Sequence, residues 1–218
     1  MITVHIASLP ERVDTLEKTV NSLLPQVDYI FVSLNNYEEI PSFLTGRCVN
    51  PLICDNSLGD AAKFLRTNDY HGYVFVCDDD LIYPDNYVEY MISKIEEHKG
   101  IVSLLGKVYS TRPIKSFKKS YTELYRCLDV VDGDHEVDVC GTGAMAYHSR
   151  DINVKVSDFE MRNMADIWMA KLAHEQGVKM FAVDHKEDFV EHVLYPDRIW
   201  VGTRDDTVQT MVLNSFLK

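Results

Sequence analysis

The sequence predicts an α/β fold, a single domain with a mostly parallel central sheet flanked by helices. Short apolar runs alternate with helical patterns, the arrangement that joins parallel strands. The chain has 218 residues, the size of one domain. One apolar run, Tyr73-Val74-Phe75-Val76, is opened by Gly72 and followed by the carboxylates Asp78, Asp79 and Asp80. Open α/β sheets bind ligands at the carboxyl ends of their strands, where this triplet falls.

Ile2 to Ala7 reads as the first buried strand. Ser8-Leu9-Pro10-Glu11-Arg12 leads into a helix with Leu16, Val20, Leu23 and Leu24 on its apolar side, ended by Pro25. Tyr29 to Leu34 is the second strand, Pro51 to Cys54 the third, and a helix is expected from Ala61. After the carboxylate-tipped strand, Pro84-Asp85-Asn86 opens a helix that ends near Gly100, and Ile101 to Leu105 is a strand. Lys107 to Lys119 is basic, and Asp129 to Asp138 reads as an acidic loop. Val137 to Tyr147 reads as one strand interrupted by Gly141 and Gly143, glycines that mark either a bend or close approach of a ligand. Met164 to Gln176 is a helix closed by Gly177, and Val178 to Val183 is the last strand. Beyond it lie Tyr195 to Trp200 and a helical pattern from Thr207 to Leu217.

The net charge of −12 argues against a general nucleic-acid binder, whose footprint is basic. The stretch holding Lys107, Arg112, Lys115, Lys118 and Lys119 reverses that sign locally, and reads either as a solvated loop or as an anion site. Five scattered cysteines without a CxxC pair argue against a cysteine-built zinc centre and make a reducing, cytoplasmic setting the expectation. The amino terminus shows no basic leader, and no apolar run nears the roughly 20 residues needed to span a bilayer. Neither a dinucleotide fingerprint nor a P-loop is present.

Three adjacent carboxylates repel one another unless cations or hydrogen-bond donors offset them. Oxygen ligands of this kind suit Mg²⁺ or Mn²⁺ together with phosphate oxygens. The plainer alternative is an acidic turn after a strand.

Taken in order, four stretches resemble a GT-A glycosyltransferase of the compact family-two-like type. Cys77-Asp78-Asp79-Asp80 resembles the DxD motif, and Asn56 to Phe64 the Gly-Asp and Lys-Phe stretch beside the nucleotide. Gly141-Thr142-Gly143 with Ala144 to Tyr147 resembles the acceptor-side strand, and Ala165-Asp166-Ile167-Trp168 the acidic helix start that supplies the base. The resemblance implies a GT-A (Rossmann-like) domain over residues 1–218, with 186–218 as a tail folding over the donor site. It implies metal-dependent transfer of a sugar from a nucleotide-sugar donor, UDP-linked by preference, to an acceptor hydroxyl with inversion.

The same resemblance implies the roles. Asp166 is the base. Asp80 and Asp78 bind Mn²⁺ or Mg²⁺, and Asp78 also faces the ribose. Ser8, Pro10, Arg12, Asp55, Lys63 and Asp79 line the donor site, and His185 is the third metal ligand, with His192 competing. Where the family often has two adjacent acids, this chain has Ala165-Asp166. Each residue has a plainer alternative: turn or cap residues, a solvated lysine, a first-turn acid on the helix dipole, or a core or surface histidine. The competing functions are a Mg²⁺-dependent nucleotidyltransferase or phosphohydrolase, and a non-catalytic binding domain. A saccharide or other hydroxyl-bearing molecule is the expected acceptor, and the acidic total disfavours DNA.

Overall fold

The computed structural model describes residues 1–193 and 205–217. Tyr195 to Trp200 lie outside the described residues. The central sheet has eight strands in the order β3-β2-β1-β4-β11-β6-β12-β9. They are β3 (Val49–Cys54), β2 (Tyr29–Asn35), β1 (Ile2–Ser8), β4 (Tyr73–Cys77), β11 (Ala144–His148), β6 (Ile101–Ser103), β12 (Met180–Ala182) and β9 (His135–Glu136). Every neighbouring pair is parallel except those involving β11 and β9. The expected mostly parallel α/β sheet is therefore the fold observed.

Strand alternation divides the core into two. Val4, Ile6, Phe75, Cys77 and Val102 face α1 (Val13–Leu23) and α2 (Tyr87–His98), where Leu16, Val20, Leu23, Met91 and Ile95 cover them. Val74, Val76, Ile101, Met145 and Met180 face α3 (Ala165–Gln176) and α4 (Thr207–Phe216), against Ile167, Trp168, Met169, Leu213 and Phe216. Burial on both faces is why these strands read as continuous apolar runs.

The structure corrects several element boundaries. The stretch from Ala61 forms a 3-10 turn over Gly59–Phe64 rather than an α-helix. Val137 to Tyr147 is two strands in two sheets: β11, and β10 (Val139–Cys140), which pairs with β7 (Gly106–Val108) and, beyond it, β8 (Glu123–Tyr125). The basic stretch thus contributes a strand, and the acidic loop contributes β9. Leu24 is exposed, because the 3-10 turn Leu24–Gln26 rotates it off the α1 face. The helix α2 stops at Lys99, in the left-handed region with φ +52°, one residue before Gly100. Gly177 closes α3 at φ +68°, as a C-terminal glycine does. Among the described residues no helix is long and apolar enough to cross a membrane.

Candidate active site at the carboxyl edge of the sheet

Strands β1 and β4 lie side by side, with Ile6 opposite Cys77, so the loops leaving both share one edge. The turn after β4 is pinned from below. The Asp78 amide donates to the Gly143 carbonyl at 2.9 Å and to the Tyr83 hydroxyl at 3.1 Å. A two-residue strand β5 (Leu81–Ile82) then pairs antiparallel with β13 (Glu191–His192), setting His192 opposite Leu81. This ribbon carries His192 Nε2 to 3.6 Å from Asp80 Oδ2.

Two cations hold the triplet. Arg12 donates from one nitrogen to Asp79 Oδ1 at 2.8 Å and to Asp80 Oδ2 at 3.0 Å. Lys63, whose side chain is only 4% exposed, pairs with Asp78. Burial alone would drive the Lys63 ammonium toward the neutral form, but Asp78, then Asp60 and Asp166, outweigh it and hold its pKa above the usual lysine range. Burial pushes Asp79 up to about 6, with Arg12 opposing. Asp80 is raised as well, first by burial and then by the Asp78 charge, against Arg12 and His192. Burial is thus the first cause of both rises, and the two cations oppose it only in part.

Gly143 is the glycine whose lack of a side chain matters most. A Cβ there would overlap the Asp78 carboxylate. Its backbone lies outside the left-handed region, so alanine fits conformationally. Gly143→Ala is expected to turn Asp78 away, lower Tm as the buried Lys63 loses its ion-pair partner, and weaken metal-dependent nucleotide binding at least tenfold well below the melt. Calorimetry beside thermal melting checks both.

Asp166 stands in the first turn of α3, and its charge also reaches Lys63. Its Oδ1 accepts from the Thr142 amide and the Thr142 hydroxyl, both at 2.8 Å. A first-turn acid could simply satisfy its own helix start. Here that start is bonded from elsewhere, since the Ala165 amide donates to Asp60 Oδ2 at 3.1 Å. Asp166 is therefore turned toward the glycine strand, and its Oδ2 makes no hydrogen bond among the described residues.

Asp60 is half-buried, and its buried Oδ1 has no partner among the described residues. Burial raises its pKa to about 6 from 3.8; the Ala165 amide and Lys63 oppose the rise, and Asp166 adds to it. The folded chain therefore prefers Asp60 protonated, and its contribution to stability falls as pH rises from about 4 through 6. Asp60→Asn keeps an acceptor for Ala165. In the absence of metal it is expected to raise Tm at pH 8 by a few degrees, the gap closing toward pH 4. A lower Tm at pH 8 would contradict this.

The other expected residues are spread along the same edge. Ser8 is buried, 3.2 Å from the Tyr37 hydroxyl, which also donates to the Leu9 carbonyl at 2.9 Å. Pro10 opens the 3-10 turn that ends at Arg12. Asp55 is exposed beyond β3 and accepts from the Ser57 amide at 2.9 Å. Three strand spacings separate β3 from β4, about 14 Å, the span of an extended nucleotide. His185 is buried elsewhere, with Nε2 3.1 Å from the Leu104 carbonyl and Nδ1 3.2 Å from that of Lys186. Of the two histidines, His192 is the one beside Asp80. Thr142, Asp60, Tyr37 and Tyr83 carry no signal in the sequence beyond membership of a motif or an apolar run.

The donor set suits a hard divalent ion. Asp78 and Asp80 carry oxygens of the type such an ion takes, and the adjacent His192 has a buried Nδ1 with no partner among the described residues, but the ligand atoms of these three do not all lie within 4.8 Å of one another. Among the described residues, Glu97, His98 and Asp134 bring three ligand atoms within 4.8 Å of one another. There, Lys94 already fills the cation's place, donating to Asp134 at 2.8 Å.

No protein-family model and no curated protein matches this chain. Among solved structures it is similar to 4-diphosphocytidyl-2C-methyl-D-erythritol synthase from Anaerococcus prevotii DSM 20548. The TM-score is 0.52 at 15% identity, covering 100% of this chain and 98% of that one. The likeness establishes the fold the two chains share.

Proposed function

We propose that this protein is a metal-dependent glycosyltransferase, moving a sugar from a nucleotide-sugar donor to an acceptor hydroxyl with inversion. The observation that supports it most is Asp166, oriented by Thr142 and sharing with Asp78 the buried Lys63, whose positive charge both sustain. A carboxylate with a free oxygen beside a cation-held acidic triplet suits proton removal next to a departing diphosphate.

Asp78 and Asp80, with His192 in preference to His185, would hold Mg²⁺ or Mn²⁺, which supplies Lewis-acid stabilisation of the leaving diphosphate. Lys63 fixes Asp78 and adds positive charge between donor and acceptor. Arg12 fixes Asp79 and Asp80. Ser8, Pro10 and Asp55 form the nucleoside end of the site. Asp166 takes the acceptor's proton at Oδ2 as that hydroxyl attacks the anomeric carbon.

A second reading is nucleotidyl transfer, in keeping with the diphosphocytidyl product named for the structural neighbour. The loop between β1 and α1 weighs against it. A triphosphate needs a cradle of backbone amides, whereas Leu9-Pro10-Glu11-Arg12 has no glycine and loses one amide to Pro10. Incubation with UDP-sugars and Mn²⁺ is expected to release UDP, and a chelator to stop it. Pyrophosphate released from a nucleoside triphosphate, with no UDP from any UDP-sugar, would favour the second reading.

A further inference from the structure

Lys107 stands out among the lysines near this site. It sits in β7, directly opposite Val139 of β10, so the two side chains share a face. Val139 belongs to the core under α3, and Lys107 therefore reaches toward the same side. Its ammonium lies 3.9 Å from the centroid of the Phe117 ring. No carboxylate or carbonyl among the described residues bonds it. Lys63, Lys94, Lys99, Lys171 and Lys179, by contrast, each pair with an acid.

The surroundings are fixed in place. The Phe117 amide donates to the Thr210 hydroxyl at 2.9 Å. The Ser116 hydroxyl and the Lys118 amide both donate to Asp206 Oδ2, at 2.6 and 2.8 Å. The start of α4 thus anchors the segment that carries Phe117 and Lys118. Burial lowers the Lys107 pKa and the Lys118 charge adds to this, while Asp166 is the largest opposing influence. Val139, opposite Lys107, lies three residues before Thr142, whose amide and hydroxyl both bond Asp166, so the strand that faces Lys107 leads directly to the candidate base.

We propose that Lys107 pairs with a negative group on the acceptor, so that the acceptor is a phosphorylated or carboxylated molecule rather than a neutral sugar. This rests on the glycosyltransferase reading, because it takes Asp166 as the point where the acceptor hydroxyl docks. A hydroxyl at Asp166 brings its neighbouring substituents toward Lys107, and an anionic oxygen there supplies the partner this ammonium lacks. Phe117 gives the ammonium an apolar floor that limits its hydration and strengthens such a pair.

The test is calorimetry on the whole chain, first with UDP and Mn²⁺, then with inorganic phosphate, acetate or glucose added to the UDP-loaded protein. Wild type is expected to bind phosphate or acetate but not glucose, and the anion bound tells a phosphate from a carboxylate acceptor. Lys107→Met keeps the apolar stem over Phe117; its Tm and UDP binding are expected to be unchanged and its anion affinity at least tenfold lower. Lys107→Arg is expected to restore the affinity. If neither anion binds UDP-loaded wild type, or Lys107→Met binds them equally well, this inference is wrong while the donor reading stands. Failure of UDP to bind in the first titration overturns the donor reading, and this inference with it.

Discussion

Asp166→Asn is expected to lower kcat for sugar transfer by about 10²–10⁴-fold, the range of a lost general base. The amide oxygen of asparagine still accepts both Thr142 bonds, so the side chain stays in place. Donor binding and Tm should therefore move little, and the loss should fall on kcat rather than on KM for the donor. Single-turnover transfer measured beside nucleotide calorimetry separates the two. A kcat within threefold of wild type would remove Asp166 from the chemistry and return it to its plainer role as a first-turn acid.

Asp80→Asn is expected to act in opposite directions on binding and on stability. Asp80 is raised by burial and by repulsion from Asp78, so ionising it costs the folded chain free energy. Making it neutral relieves that repulsion while Arg12 keeps its bond to Asp79 at 2.8 Å. Without metal, Tm at neutral pH should hold or rise by a few degrees. Metal-dependent UDP binding should fall at least a hundredfold, because an amide is a far poorer ligand for a hard cation. A variant that loses stability and keeps its nucleotide would mark the triplet as a structural turn. Sites that store charge for a ligand show the reverse pattern, more stable when disarmed.

The inner strands β1, β2, β4 and β6 were legible because each is buried on both faces and reads as an apolar run, Tyr73 to Val76 being the clearest. Their order was not, since β11 enters antiparallel between β4 and β6, and nothing in a single apolar run reports its neighbours. The two glycines of Val137 to Tyr147 were visible, but they separate two sheets. Gly143 approaches the Asp78 carboxylate rather than simply bending a strand. The 3-10 turn at Gly59–Phe64 shares its short apolar pattern with a helix start, and only tertiary context separates the two.

At the site, the Asp78 to Asp80 triplet and Asp166 were readable as residue types in order. The Asp60 bond to Ala165 joins residues 105 apart and leaves no local trace. His192 reaches Asp80 through a ribbon of two-residue strands, too short to give any periodic signal. His185, nearer the last sheet strand in sequence, faces two carbonyls instead.

The most direct measurement is release of nucleoside diphosphate from a panel of nucleotide sugars, with and without Mn²⁺, by wild type, Asp80→Asn and Asp166→Asn. Metal-dependent release of UDP by wild type, lost in Asp80→Asn and slowed in Asp166→Asn with UDP still bound, is the predicted result. No release from any donor, or release that neither substitution alters, would contradict the assignment of this edge of the sheet as a glycosyltransferase site.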